Sequence, residues 1–186
     1  VRVFVALDVP DEVQRPLREL MRKLEPACRG ARWARTAGMH VTLKFIGETT
    51  PEMVARMQAE LGAVRSASAV EMRFRNVGFF PHAKHPRVFW AGIEASPNLS
   101  EIAAEVERRM EGLGIPREER GFKPHLTLAR FKSEDGLPKL HETLEKAGPF
   151  EFGGARSEEF HLYQSVLKRG GAEYTKLATF RFTGQA

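Results

Sequence analysis

An internal repeat sets the strongest limit on what this chain can fold into. His40-Val41-Thr42-Leu43 recurs as His125-Leu126-Thr127-Leu128, 85 positions later, and Arg2-Val3-Phe4-Val5-Ala6 is echoed at the same offset by Arg87-Val88-Phe89-Trp90-Ala91. Two motifs that share both sequence and separation point to a duplicated half-domain, each copy supplying one supersecondary unit to a common core. The two histidines then stand as a symmetric pair.

The pattern between the motifs repeats as well. Arg2 to Asp8 alternates as a strand, with Val3, Val5 and Leu7 on one face, and Asp8 to Asp11 reads as the start of a helix. Val13, Leu17, Leu20, Met21 and Leu24 fall at helical spacing until Pro26 stops the run. Residues 31 to 36 and 39 to 47 read as two strands, the second holding His40. Thr50-Pro51 caps a helix with Met53, Val54, Met57, Leu61 and Val64 on its buried stripe, and Glu71 to Phe80 returns as a strand. The second half predicts a strand at 87–95, the cap Ser96-Pro97, a helix through Leu99, Ile102, Ala103, Val106 and Met110, and the His125 strand at 124–131. A short helix from Leu137 to Ala147, closed by Gly148-Pro149, and strands near 157–166 and 173–182 follow. The class is α+β with mostly antiparallel sheet. The proline-bracketed stretch from Phe79 to Pro86 is the natural division, giving lobes of about 1–85 and 86–186 within one domain, with room for strands exchanged between them.

With 186 residues, 42% of them hydrophobic, the chain has enough apolar surface for a core. A single cysteine, Cys28, rules out an internal disulfide and a cysteine-based zinc site, which fits a reducing compartment, the cytoplasm. No apolar run approaches a membrane span, and Val1 to Val9 reads as a strand, not a signal peptide. The expected protein is soluble and, having no coiled-coil heptads, a monomer. A net charge of +5 favours an anionic partner without naming one.

Alternation along a strand projects His40 and Thr42 together, while Val41, Leu43 and Phe45 turn inward; His125 and Thr127 follow the same rule. If the lobes bring these strands side by side, two imidazoles and two hydroxyls line one cleft of a size suited to phosphate. One imidazole can accept a proton from an attacking hydroxyl or water while the other gives one to the leaving oxygen, and an unperturbed pKa of about 6.5 suits both tasks. The threonine hydroxyls can hold the non-bridging oxygens as charge grows. No metal is needed for this.

The chain resembles the bacterial and archaeal RNA 2',3'-cyclic phosphodiesterases, historically called 2'-5' RNA ligases, of the two-histidine phosphoesterase superfamily. The stretches that carry the resemblance are RVFVALDVP at the start, MHVTLKFIGE around His40, RVFWAGI, and FKPHLTLARF around His125. The resemblance implies a bilobal fold of two pseudo-symmetric lobes, with helices on the outer faces and a central groove. It implies cofactor-free hydrolysis of RNA 2',3'-cyclic phosphate ends to 2'-phosphates, with His40 as the acid to the departing 3'-oxygen and His125 as the base. It also casts Arg130 as a phosphate ligand. Strand parity objects, because Arg130, five residues past His125, should point away from the cleft unless a bulge, twist or strand end intervenes near Ala129. Phe45 stands at the matching place in the first lobe, and Lys44 has the parity to face the groove.

The same site can run backwards, joining a 2',3'-cyclic end to a 5'-hydroxyl. Cyclic nucleotides and 2'-5' oligoadenylates are alternative substrates, and a non-catalytic RNA-binding module is the alternative class. Phe4, Phe79, Phe80 and Trp90 could stack on bases or be core, and Arg29, Arg32, Arg35, Lys123 and Lys132 flank the histidine strands where they could steer RNA. His82 and His85 read as exposed, with no carboxylate nearby in sequence, and His141 and His161 as solvent-facing or satisfied.

Overall fold

A computed structural model describes residues 1–184. In chain order the elements are β1 (Arg2–Asp8), α1 (Asp11–Leu24), β2 (Ala31–Trp33), β3 (His40–Glu48), α2 (Pro51–Leu61), β4 (Val70–Phe80), β5 (Val88–Ala95), α3 (Asn98–Glu111), β6 (His125–Phe131), α4 (Leu137–Ala147), β7 (Glu151–Ser157), β8 (Glu159–Lys168) and β9 (Gly171–Arg181). The strands form two antiparallel sheets, β3-β1-β8-β9 and β2-β6-β5-β4-β7. The α+β class follows from these two sheets and four helices.

Neither sheet is built from one half of the sequence. The first draws on residues 2–48 and 159–181, the second on 31–33 and 70–157. The duplication survives at the centre of each sheet, where β1 lies between β3 and β8 as β5 lies between β6 and β4. Crossing the chain between sheets welds the halves into one core, which runs from Val3, Val5, Leu7 and Leu162 to Phe74, Phe89, Ala91 and Leu126. Each large side chain buried there contributes roughly 1.5–3 kcal/mol. The opposite face of β1 carries a separate small cluster of Phe4, Ala6 and Tyr163.

Helix ends follow local chemistry with one adjustment. The Thr50 hydroxyl accepts a hydrogen bond from the Met53 N–H at 3.2 Å, which caps α2 as its sequence predicts. In α3 the Ser96-Pro97 pair precedes the first helical residue, Asn98, and the Ser96 carbonyl accepts from Leu99 N–H. The strand expected over 31–36 stops at Trp33, and a 3₁₀ turn at Thr36–Gly38 leads into His40. Sequence pattern missed β7 altogether, because Gly153 and Gly154 erase the alternation by which a strand is recognised.

One irregularity, present twice, positions the site. Val5 pairs with Lys44 and Ala6 with Thr42, so Leu43 has no partner of its own; Phe89 pairs with Ala129 and Trp90 with Thr127, so Leu128 has none. Each histidine strand therefore carries a β-bulge immediately after its His-x-Thr element. An extra residue resets the alternation of every side chain beyond it.

Candidate active site

His40, Thr42, His125, Thr127 and Arg130 all line one groove of about 1900 Å³. The His-x-Thr pairs reach it by ordinary alternation: Val41 and Leu126 between them are buried in the core. Arg130 reaches it through the bulge. Leu128 and Ala129 both turn into the core, at 0% and 1% exposure, and Arg130 emerges on the groove side. The parity objection is thereby met by the backbone itself.

The bulge in β3 has the opposite consequence for its neighbours. Phe45, expected to pack inward, is 66% exposed and lines the groove, while Lys44, with straight-strand parity to face the groove, is only 5% exposed. The Lys44 ammonium donates to Glu107 Oε1 at 2.6 Å and to the Pro116 carbonyl at 2.7 Å, and Glu107 Oε1 also accepts from the Glu118 N–H at 3.0 Å. Lys44 thus anchors the segment beyond α3, whose residues from Arg117 to Lys123 form one wall of the groove.

Arg130 is not alone. It pairs with Arg32 across β2 and β6, so the two side chains share a face, and both line the groove. Like charges placed opposite each other on a sheet repel, and an anion between them relieves that repulsion. Arg35 and Lys123 also line the groove. Of the aromatic residues considered for stacking, Phe4 lines it together with Phe45 and Tyr174. Phe79 packs against Phe89, and Phe80 packs edge-on to His125 at 5.4 Å between ring centroids.

The two imidazoles are held alike by backbone and differently by side chains. His125 Nδ1 lies 2.8 Å from the Lys123 carbonyl, which can only accept, so Nδ1 is the donor of that bond and Nε2 is the nitrogen left to face the groove chemistry. The His40 ring meets Tyr163 at 4.3 Å, Tyr174 at 5.2 Å and Phe4 at 5.5 Å between centroids. Burial among these rings pushes its pKa below the usual value, opposed by the Asp8 carboxylate and the hydrogen-bonding backbone of Gly38. Asp8 itself accepts from the Tyr163 hydroxyl and, at 2.7 Å, from Lys176, while His161 Nε2 lies at 3.4 Å. Burial raises the Asp8 pKa, but the bonds from His161, Lys176 and Tyr163 outweigh it and hold the carboxyl well below its ordinary range. Tyr163 is pushed up by burial and by the carboxylate it faces.

Sequence reading overlooked this cluster. His161 is buried and satisfied, with Nδ1 2.9 Å from the Thr179 hydroxyl, but its other nitrogen faces Asp8, which the sequence marks only as a helix start. The remaining histidines stay peripheral. His85 meets a carboxylate after all, Glu134 at 3.1 Å, brought from 49 residues away, and His141 Nε2 bonds the Ala83 carbonyl at 2.9 Å. Among the described residues no group of three or more His, Cys, Asp or Glu side chains could hold a metal ion. No helix among them is long and apolar enough to cross a membrane.

Comparison with known proteins agrees with this architecture. The family model of the 2'-5' RNA ligase superfamily matches residues 9–168. The RNA 2',3'-cyclic phosphodiesterase of Archaeoglobus fulgidus is 31% identical over 180 residues, 97% of this chain and 99% of that protein. The protein of the same name from Thermotoga maritima is 32% identical over 186 residues, covering 99% and 97%. Among solved structures, E. coli LigT complexed with 3'-AMP superposes with a TM-score of 0.80 at 25% identity and 98% coverage of both chains. By sequence over nearly its whole length, and by fold, the chain belongs to the 2'-5' RNA ligase superfamily.

Proposed function

We propose that the protein hydrolyses RNA 2',3'-cyclic phosphate ends to 2'-phosphate ends without a metal. The observation that carries the reading is the pair of bulged strands, which present two His-x-Thr elements and Arg130 to one groove. His125, with Nδ1 engaged by the Lys123 carbonyl, offers a free Nε2 to take a proton from water. The water oxygen bonds to phosphorus, the bond from phosphorus to O3' breaks, and His40 delivers its proton to O3', leaving a 3'-hydroxyl beside the 2'-phosphate. Thr42, Thr127, Arg130 and Arg32 hold the non-bridging oxygens through these changes. The negative charge of the cyclic phosphate helps His40 bind the proton that burial disfavours.

The same proton transfers in reverse join a 2',3'-cyclic end to a 5'-hydroxyl as a 2'-5' linkage. RNA is the partner that best suits the cations lining the groove, Arg32, Arg35, Lys123 and Arg130 among them. One chain supplies every proposed site residue, which supports action as a monomer, and buried, unpaired Cys28 fits the cytoplasm.

The reading is tested with short RNAs ending in 2',3'-cyclic phosphate, assayed with a chelator present. Turnover to the 2'-phosphate with a bell-shaped pH profile is expected, because one imidazole must be neutral while the other is charged. Binding without turnover would instead identify a non-catalytic RNA-binding module.

A further inference from the structure

The two histidines sit in matched strand registers whose surroundings differ. Opposite His40 in the β1–β3 pairing stands Asp8; opposite His125 in the β5–β6 pairing stands Gly92. On the other side of each central strand, Ala6 pairs with His161 and Phe4 with Tyr163, whereas Trp90 pairs with Gly78 and Val88 with Phe80. Every polar member belongs to the sheet that holds His40. The sheet that holds His125 is closed at the matching places: a Cβ on Gly92 would lie 2.7 Å from the Arg75 carbonyl oxygen, and one on Gly78 would lie 2.1 Å from the Trp90 ring.

Around His40 the polar residues form one connected unit. Tyr163 lays its ring against the imidazole and sends its hydroxyl to Asp8, whose second oxygen takes the Lys176 ammonium and faces His161. A second cavity, about 910 Å³, opens behind this unit. His40, Tyr163 and Lys176 line both spaces, so the unit forms the partition between the rear cavity and the groove. Glu12, Arg156, Glu158 and Glu159 line the rear cavity.

We propose that Asp8, with Lys176, Tyr163 and His161, is the positioning unit that makes His40 the proton donor of the pair. The proposal rests on the acid role given to His40 above. Burial works against imidazolium at His40; Asp8 supplies the negative charge that opposes it, Lys176 offsets part of that charge, and Tyr163 fixes the carboxylate while bracing the ring. His125 has Gly92 in the equivalent place and no carboxylate there to favour its charged form. The asymmetry of the two lobes thereby divides acid from base across an otherwise duplicated site.

The charge arrangement predicts opposite responses from two members of one network. In Asp8→Asn, which keeps the side-chain shape, the His40 titration midpoint followed by imidazole proton NMR should fall by about half a pH unit or more, since an anion is lost and Lys176 is left uncompensated. In Lys176→Met it should rise by a similar amount, because a cation that disfavours imidazolium is gone. The limb of the kcat/KM profile for a 2',3'-cyclic nucleotide that follows His40 should move the same way as each midpoint. Amide spectra unchanged away from the cluster separate charge tuning from misfolding. Midpoints that do not move, or that move in the same direction in both variants, overturn the proposal. Lack of wild-type turnover on any cyclic phosphate defeats the functional reading instead and leaves the NMR result to stand on its own.

Discussion

The two lobes of the groove share a backbone device and differ in the side chains hung on it. Both histidine strands run His-x-Thr into a bulge at the following leucine, so both aim an imidazole and a hydroxyl at the groove and then re-aim the residue five past the histidine. That residue is Phe45 in one lobe and Arg130 in the other, and the residue before it is buried Lys44 in one and buried Ala129 in the other. In the proposed reaction, duplication preserves what proton transfer needs twice, and divergence changes what a phosphodiester end needs only once, a charged contact on one side and an apolar face on the other.

The comparison breaks most decisively at the shared part. Replacing either histidine, as His40→Ala or His125→Ala, should lower turnover of a cyclic phosphate by about a thousandfold, within the usual range for losing a general acid or base. Binding of the product, measured calorimetrically, should survive in both. If one variant keeps full activity, the lobes do not share the chemistry, and the pairing of acid with base is wrong.

How much of this the sequence discloses depends on the range of the interactions involved. The repeat, the strands that bear it and the shared face of His40 with Thr42 and of His125 with Thr127 are visible because strand alternation is local. The bulges are not visible, since His-Val-Thr-Leu-Lys-Phe reads as an unbroken pattern and the extra residue is defined only by the partner strand. Phe45 is expected inward for that reason and emerges on the groove instead, whereas Arg130 requires the bulge and receives it. Asp8 escaped notice because its partners arrive from Tyr163 and Lys176, 155 and 168 residues along the chain. β7 disappeared behind a pair of glycines. Chain crossing between the sheets likewise depends on contacts that no local pattern encodes.

Lys44 tests whether the lobes differ in stability as well as chemistry. Lys44→Ala gives the first bulge the residue found at the second, but it leaves Glu107 without its cation in a site where the ammonium side chain is 3% exposed and the carboxylate 15%. Removing one member of such a pair costs about 3 kcal/mol. Urea unfolding should show that loss as a lower midpoint, with much of it recovered in Lys44→Ala/Glu107→Leu. A single variant as stable as wild type would mean that solvent reaches Glu107 and the anchor is dispensable.

Next in size is the charged contact. Arg130→Ala should reduce kcat/KM by about a hundredfold, as expected for a forked, charge-assisted contact to phosphate, and Arg32→Ala by about tenfold. Because the two guanidiniums face each other across β2 and β6, their effects should not add, and the double variant measures the coupling. Additive losses would place the two arginines on different parts of the substrate.

The threonines give the finest test, because they are identical in the two lobes and exchange only a hydroxyl for a methyl in Thr42→Val and Thr127→Val. Each hydroxyl bonded to a charged oxygen is worth about 1.5 kcal/mol, so each variant should lose about tenfold in kcat. Equal losses imply that the phosphate sits on the pseudo-symmetry axis, touched alike from both sides. A larger loss at Thr127 would place the growing charge nearer Arg130, and a larger loss at Thr42 would place it nearer His40 and the departing oxygen. Since Val keeps the shape and the β propensity of Thr, stability should be nearly unchanged. The ratio of the two losses therefore locates the reacting phosphate relative to the lobes, and it distinguishes a symmetric reaction centre from one already drawn toward the arginine pair.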